Sequence, residues 1–158
     1  MAARAYWRVT GDDESPARLL ARSLDDGNEY VALQVLGDIG SPAPGCAGRV
    51  REFVQDDDEH KRIYAARAYS RMTGDTDVAL RVFTEALRPI ADAELVPPVK
   101  WVAKFIGEMG PPAVETIPFM HEALDLDLRL NSFGGWRSID SDQRDRCLLA
   151  DAIEAVTT

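Results

Sequence analysis

Apolar residues along this chain recur every three or four positions, as they do through residues 17–24, 50–54, 78–87 and 114–124. That spacing puts them on one face of a helix. Alternation with period two is nowhere sustained, so the pattern predicts helices and no strand. The breaks between segments read as helix punctuation. Ser15-Pro16 and Pro111-Pro112 open helices, because proline is tolerated in a first turn. Asp25-Asp26-Gly27 and Gly74-Asp75 are turns.

The pattern also repeats. Ala2-Ala3-Arg4-Ala5-Tyr6-Trp7-Arg8-Val9-Thr10-Gly11-Asp12 returns 63 residues later, in residues 65–75, with nine of eleven positions identical. A looser pair is Val35-Leu36-Gly37-Asp38-Ile39-Gly40 and Phe105-Ile106-Gly107-Glu108-Met109-Gly110. All four fit one frame if Tyr6, Leu36, Tyr69 and Ile106 are equated, and a fifth segment fits with Ile153 in that place. The spacings are 30, 33, 37 and 47 residues. Between these inner helices, with their small residues, lie bulkier outer ones. We therefore expect an all-α chain, an α-solenoid of antiparallel helix pairs with about four and a half repeats, because a single pair cannot bury both its apolar faces.

On these residues the chain resembles the HEAT repeats of the short bacterial type, the phycobilisome-lyase HEAT-like repeats. Arg62-Ile63-Tyr64-Ala65-Ala66-Arg67-Ala68-Tyr69 carries the likeness, as does Asp145-Arg146-Cys147-Leu148-Leu149-Ala150-Asp151-Ala152-Ile153. The outer-helix run Ile117-Pro118-Phe119-Met120-His121-Glu122-Ala123-Leu124 fits too, with a proline expected in mid-helix. Glu29 and Val99 depart from it, standing where the family often has arginine. The likeness spans nearly the whole chain, so we expect residues 1–158 to form one right-handed solenoid domain. Tetratricopeptide repeats fit less well, since their Trp-Leu-Gly and Tyr signals at 34-residue spacing are absent. Helix one lacks most of an opening turn and an outer partner, and we expect the chain to be a region of a longer solenoid.

Composition narrows the function. With 18 Lys+Arg against 27 Asp+Glu, the net charge is −9, which argues against an extended nucleic-acid surface. No run reaches the roughly 18 apolar residues of a membrane helix. Cys46 and Cys147, 101 residues apart, read as buried free thiols of a cytoplasmic protein.

Within the shared frame, residues one repeat apart form rows. Arg8, Asp38, Arg71 and Glu108 alternate in sign, as a ladder of ion pairs between repeats or a charged recognition row. Arg4, Gln34, Arg67, Lys104 and Asp151 form a mostly basic or amide stripe on an acidic chain. Trp7 stands beside small residues in the next row. Tyr64 and Trp101 share a third row, where they either pack between helices or floor a peptide site. The long spacing near residues 125–141 marks an inserted loop, with Phe133, Trp136 and Arg137 as a second candidate surface.

Catalytic chemistry is thin. His60 and His121 fall on opposite surfaces of the frame, and His121-Glu122 is a single pair where HEAT-type di-iron hydroxylases need several. Asp56-Asp57-Asp58-Glu59 lacks the alternating ligand spacing and central glycine of a calcium loop and reads as a solvated turn that places negative charge at a helix N-terminus. We expect no metal, no cofactor and no enzyme. The expectation is a scaffold that binds a protein or peptide through a groove lined by Arg4, Trp7, Gln34, Tyr64, Arg67, Trp101 and Lys104. The basic members would steer an acidic segment there. Alternatives are nucleic-acid binding through the Arg4, Arg67, Lys104 stripe, or an enzyme-accessory role, since the resemblance extends to bilin lyases and alkylpurine DNA glycosylases.

Overall fold

The structure is a computed structural model that describes residues 2–11, 14–25, 27–40, 45–91, 99–125 and 137–158. All regular structure among them is helical, in nine α-helices. They are α1 (Ala2–Thr10), α2 (Glu14–Ser23), α3 (Glu29–Ile39), α4 (Cys46–Glu52), α5 (Glu59–Thr73), α6 (Asp77–Ala91), α7 (Val99–Met109), α8 (Ile117–Asp125) and α9 (Arg137–Thr157). Short 3-10 turns follow α4 at Phe53–Gln55 and precede α8 at Pro111–Thr116. Two compact units divide the chain, Met1–Ala79 and Leu80–Thr158.

In the first unit α3 and α4 pack on α5, and α2 packs on α3. Leu33, Leu36, Val50, Ile63, Ala65, Ala66 and Ala68 are at most 1% exposed. The alanines let α5 approach α3 closely. A Cβ placed on Gly37 would lie 3.5 Å from the Cα of Ala68. In the second unit α7 and α8 pack on α9. Phe83, Phe105, Ile106, Met120 and Leu149 have no exposed surface or almost none, and each such side chain contributes about 1.5–3 kcal/mol by burial.

The five-segment frame reappears as geometry, with zero at Tyr6, Leu36, Tyr69, Ile106 and Ile153. Glycine at +1 meets alanine at −1 in both units: Gly37 against Ala68, and Gly107 against Ala152 at 3.6 Å. Arginine at −7 of α5 and α9 ties down the chain leaving the preceding outer helix. Arg62 donates to the carbonyls of Asp56 and Asp57 at 2.9 and 3.1 Å, and Arg146 donates to the carbonyl of Leu124 at 2.8 Å. Helix ends separate the segments into two alternating classes. At +4 of α1, α5 and α9, Thr10, Thr73 and Thr157 donate to the carbonyls of Tyr6, Tyr69 and Ile153 at 2.8, 2.8 and 2.9 Å. At +4 of α3 and α7 stand Gly40 and Gly110, both with φ 65°, a left-handed conformation that favours glycine. Their N–H groups donate to the carbonyls of Leu36 and Ile106.

Three expectations change. Pro118 is not mid-helix: α8 begins at Ile117, so the proline occupies the first turn, where its missing N–H removes no helical bond. The expected insertion is partly helix, because α9 already begins at Arg137. Cys46 is buried, but Cys147 is exposed.

Candidate interaction surfaces

Asp58, within the acidic run, caps α5, accepting from the N–H groups of His60 and Lys61 at 2.9 and 3.2 Å. Carboxylate capping of this kind satisfies orphan donors of the first turn. The other carboxylate oxygen accepts a hydrogen bond from the hydroxyl of Tyr30 on α3. That bond, with burial adding to it, pushes the Tyr30 hydroxyl up to about 12, and it holds the Asp58 carboxyl below its ordinary value. Lys61 stacks over the Tyr30 ring at 5.9 Å and lies 3.8 Å from Asp56. Tyr64 meets Tyr30 edge to face, with centroids 6.5 Å apart, and burial raises the Tyr64 hydroxyl as well. A tyrosine that keeps its proton to about pH 12 is a hydrogen-bond donor at neutral pH, not a base.

Arg67 is 6% exposed, and its guanidinium donates to Asp38 at 3.0 Å. It lies between α5 and α3 rather than on the surface expected for it. Gly37 makes the room: a Cβ there would sit 2.9 Å from the Arg67 Nη1. Asp38, expected in a ladder with Arg71, engages Arg67, which stands one turn earlier in α5. Gln34 and Trp7 are half-buried on α3 and α1. Arg4 and Arg8 stand on α1 with side chains outside the described residues.

The second unit presents different chemistry. Trp101 on α7 is half-buried against Phe105, their rings 6.2 Å apart. Lys100 and Lys104 place their ammonium groups 5.0 and 5.7 Å from its ring centroid. Such pairs are worth about 0.5–1 kcal/mol each when exposed. Lys104 also lies 3.9 Å from Glu108, one turn along the helix. Asp145 on α9 is 9% exposed; burial raises its carboxyl, and the positive charge of Lys100 opposes that rise. Phe133 and Trp136 lie outside the described residues, as does the side chain of Arg137.

Lys100 and Tyr30 were missed because the rows followed frame position −5, through Val31 and Trp101. Both missed residues stand at −6, on the flank of that row. Position −6 of α3 and α7 faces position −8 of α5 and α9 in each unit, as Tyr30 with Lys61 and Lys100 with Asp145.

Among the described residues no group of three His, Cys, Asp or Glu could hold a metal ion, and no helix is long and apolar enough to cross a membrane. No family model, curated protein or solved structure matches the chain.

Proposed function

We propose that the chain is a HEAT-like α-solenoid scaffold that binds a protein partner through its inner helices, with the Lys100–Trp101–Lys104 face of α7 as the principal anchor. The observation that carries this is a tryptophan flanked by two exposed lysines on a chain of net charge −9. Trp offers a large contact area with few rotatable bonds, and it is enriched among residues that dominate binding energy. The lysines select acidic sequence. The solenoid reading is supported by the frame: arginine at −7, alanine at −1 and glycine at +1 perform the same task in both units. The HEAT-like resemblance calls for arginine at position −7, which Arg62 and Arg146 supply, and Glu29 and Val99, which depart from it, begin helices of the other class.

Selection of peptides from a random displayed library on the immobilised chain tests the reading. The expected binders are rich in Asp and Glu. By calorimetry Trp101→Ala weakens them by about 2 kcal/mol, and Arg81→Ala, at an exposed position of α6, leaves them unchanged. Peptides that bind the parent and Trp101→Ala equally well would remove α7 as the anchor.

A further inference from the structure

Among the five inner helices, α1 alone leaves its packing side open. At frame position −1, Val35, Ala68, Phe105 and Ala152 are at most 5% exposed, whereas Ala5 is exposed. At +3, Ile39, Met72 and Val156 are buried and Met109 is half-buried, whereas Val9 is 86% exposed. The amino acids do not explain the contrast, because α1 and the matching part of α5 are nearly the same sequence. What differs is the covering element.

In α5 and α9 that element is an inner helix of the other class. Gly37 of α3 lies against Ala68, and Gly107 of α7 against Ala152. A glycine on one helix and an alanine on the other let the two backbones approach. Ala5 is the counterpart of Ala68 and of Ala152, so α1 carries the receiving half of this contact.

Charge selects the occupant. Helix α1 has two arginines, Arg4 and Arg8, and no acidic residue. Arg4 is the sequence counterpart of Arg67, which Asp38 of α3 neutralises. A helix seated on α1 as α3 is seated on α5 brings a carboxylate to the same place. A second copy of α1 would bring two more arginines instead, and α3 and α7 of any second copy are already held by their own α5 and α9.

We propose that α1 is a docking helix for an inner helix that residues 1–158 do not supply, one with glycine at the closest approach and Asp or Glu one residue further on. The proposal stands on the internal duplication and does not depend on the reading of Trp101.

The probe is a synthetic peptide of residues 28–55, titrated into the full chain by calorimetry and followed by the amide resonances of Ala5 and Val9. We expect saturable binding at one equivalent with shifts on α1. Val9→Asp, at an exposed position and therefore folding with an unchanged melting temperature, weakens it by at least about tenfold. Peptides carrying Gly37→Leu or Asp38→Ala lose a comparable factor, and Trp101→Ala in the chain changes nothing. No saturable binding would overturn the proposal. So would binding indifferent to Val9→Asp, or shifts confined to α5, where the peptide has displaced the chain's own α3. Sedimentation showing that the chain alone dimerises through Val9 would make a second copy the occupant and overturn it too.

Discussion

At the scale of single residues, the Arg67–Asp38 and Tyr30–Asp58 hydrogen bonds between α3 and α5 differ in exposure and so in consequence. Arg67 and Asp38 form a pair with side chains 6% and 15% exposed. Removing one member of a buried pair leaves a charge without its solvation, which costs about 3 kcal/mol or more. Arg67→Ala is therefore expected to lower the free energy of unfolding by about that amount in urea denaturation. The double variant Arg67→Met with Asp38→Leu, which removes both charges and keeps volume, should recover most of it. A loss below about 1 kcal/mol for Arg67→Ala would mean the pair is worth no more than a surface bridge. Tyr30 and Asp58 are more open, and solvent screens them. Their signature is titration. The folded Tyr30 hydroxyl lies at about 12 against an ordinary 10, so its contribution to stability is whole below pH 10 and is lost as pH rises towards 12. The folded Asp58 carboxyl lies below its ordinary 3.8, so its contribution is present above that pH and is lost as pH falls beneath it. In ultraviolet titration, the step that Tyr30→Phe deletes should be the one near pH 12, and Asp58→Asn should bring it down.

At the scale of helices, glycine at frame position +1 has the same partner in both units but not the same freedom. A Cβ on Gly107 meets Ala152 at 3.6 Å, ordinary contact distance. Gly107→Ala should therefore hold or raise the melting temperature, since alanine favours a helix interior by up to about 1 kcal/mol over glycine. A Cβ on Gly37 meets the Arg67 guanidinium at 2.9 Å and pushes it from Asp38, so Gly37→Ala should lower the melting temperature. Equal shifts of the same sign would show that the arginine has nothing to do with the glycine. Much of this was legible in the sequence. The 63-residue duplication set the frame, and each of its five segments falls in a helix, α1, α3, α5, α7 and α9, because small residues and terminal glycines mark close packing. The buried state of Arg67 was not legible, since a helical row shows which side a residue takes but not whether a carboxylate waits on the next helix. The start of α9 was hidden for another reason: Arg137-Ser138-Ile139-Asp140-Ser141-Asp142-Gln143-Arg144 has too few apolar residues to mark a helix by periodicity.

At the scale of the whole chain, two units share a skeleton and differ in what they present. The first sets tyrosines against carboxylates at Tyr30, Tyr64 and Asp58; the second sets lysines around Trp101. The repeat fixes positions −7, −1, +1 and +4, where helices join, and leaves −6, −5 and −2 to vary. The net charge of −9 then acts against the local chemistry. An acidic peptide is repelled by the molecule as a whole and attracted by Lys100 and Lys104. The two effects differ in range. Screening shortens from about 10 Å at 0.1 M salt to about 3 Å at 1 M, and contacts within a few ångströms of the Trp101 ring are the last to be lost. At 0.1 M and above the lysines dominate, so the affinity of the parent chain for a selected acidic peptide should fall as salt is raised across that range. With Lys100→Ala and Lys104→Ala together only repulsion remains, and the affinity of that variant, weaker throughout, should rise with salt. Calorimetric titrations of both proteins across the salt series measure the two slopes. Parallel slopes would show that the lysines beside Trp101 do not set the preference for acidic sequence, and the anchor would then rest on the indole alone.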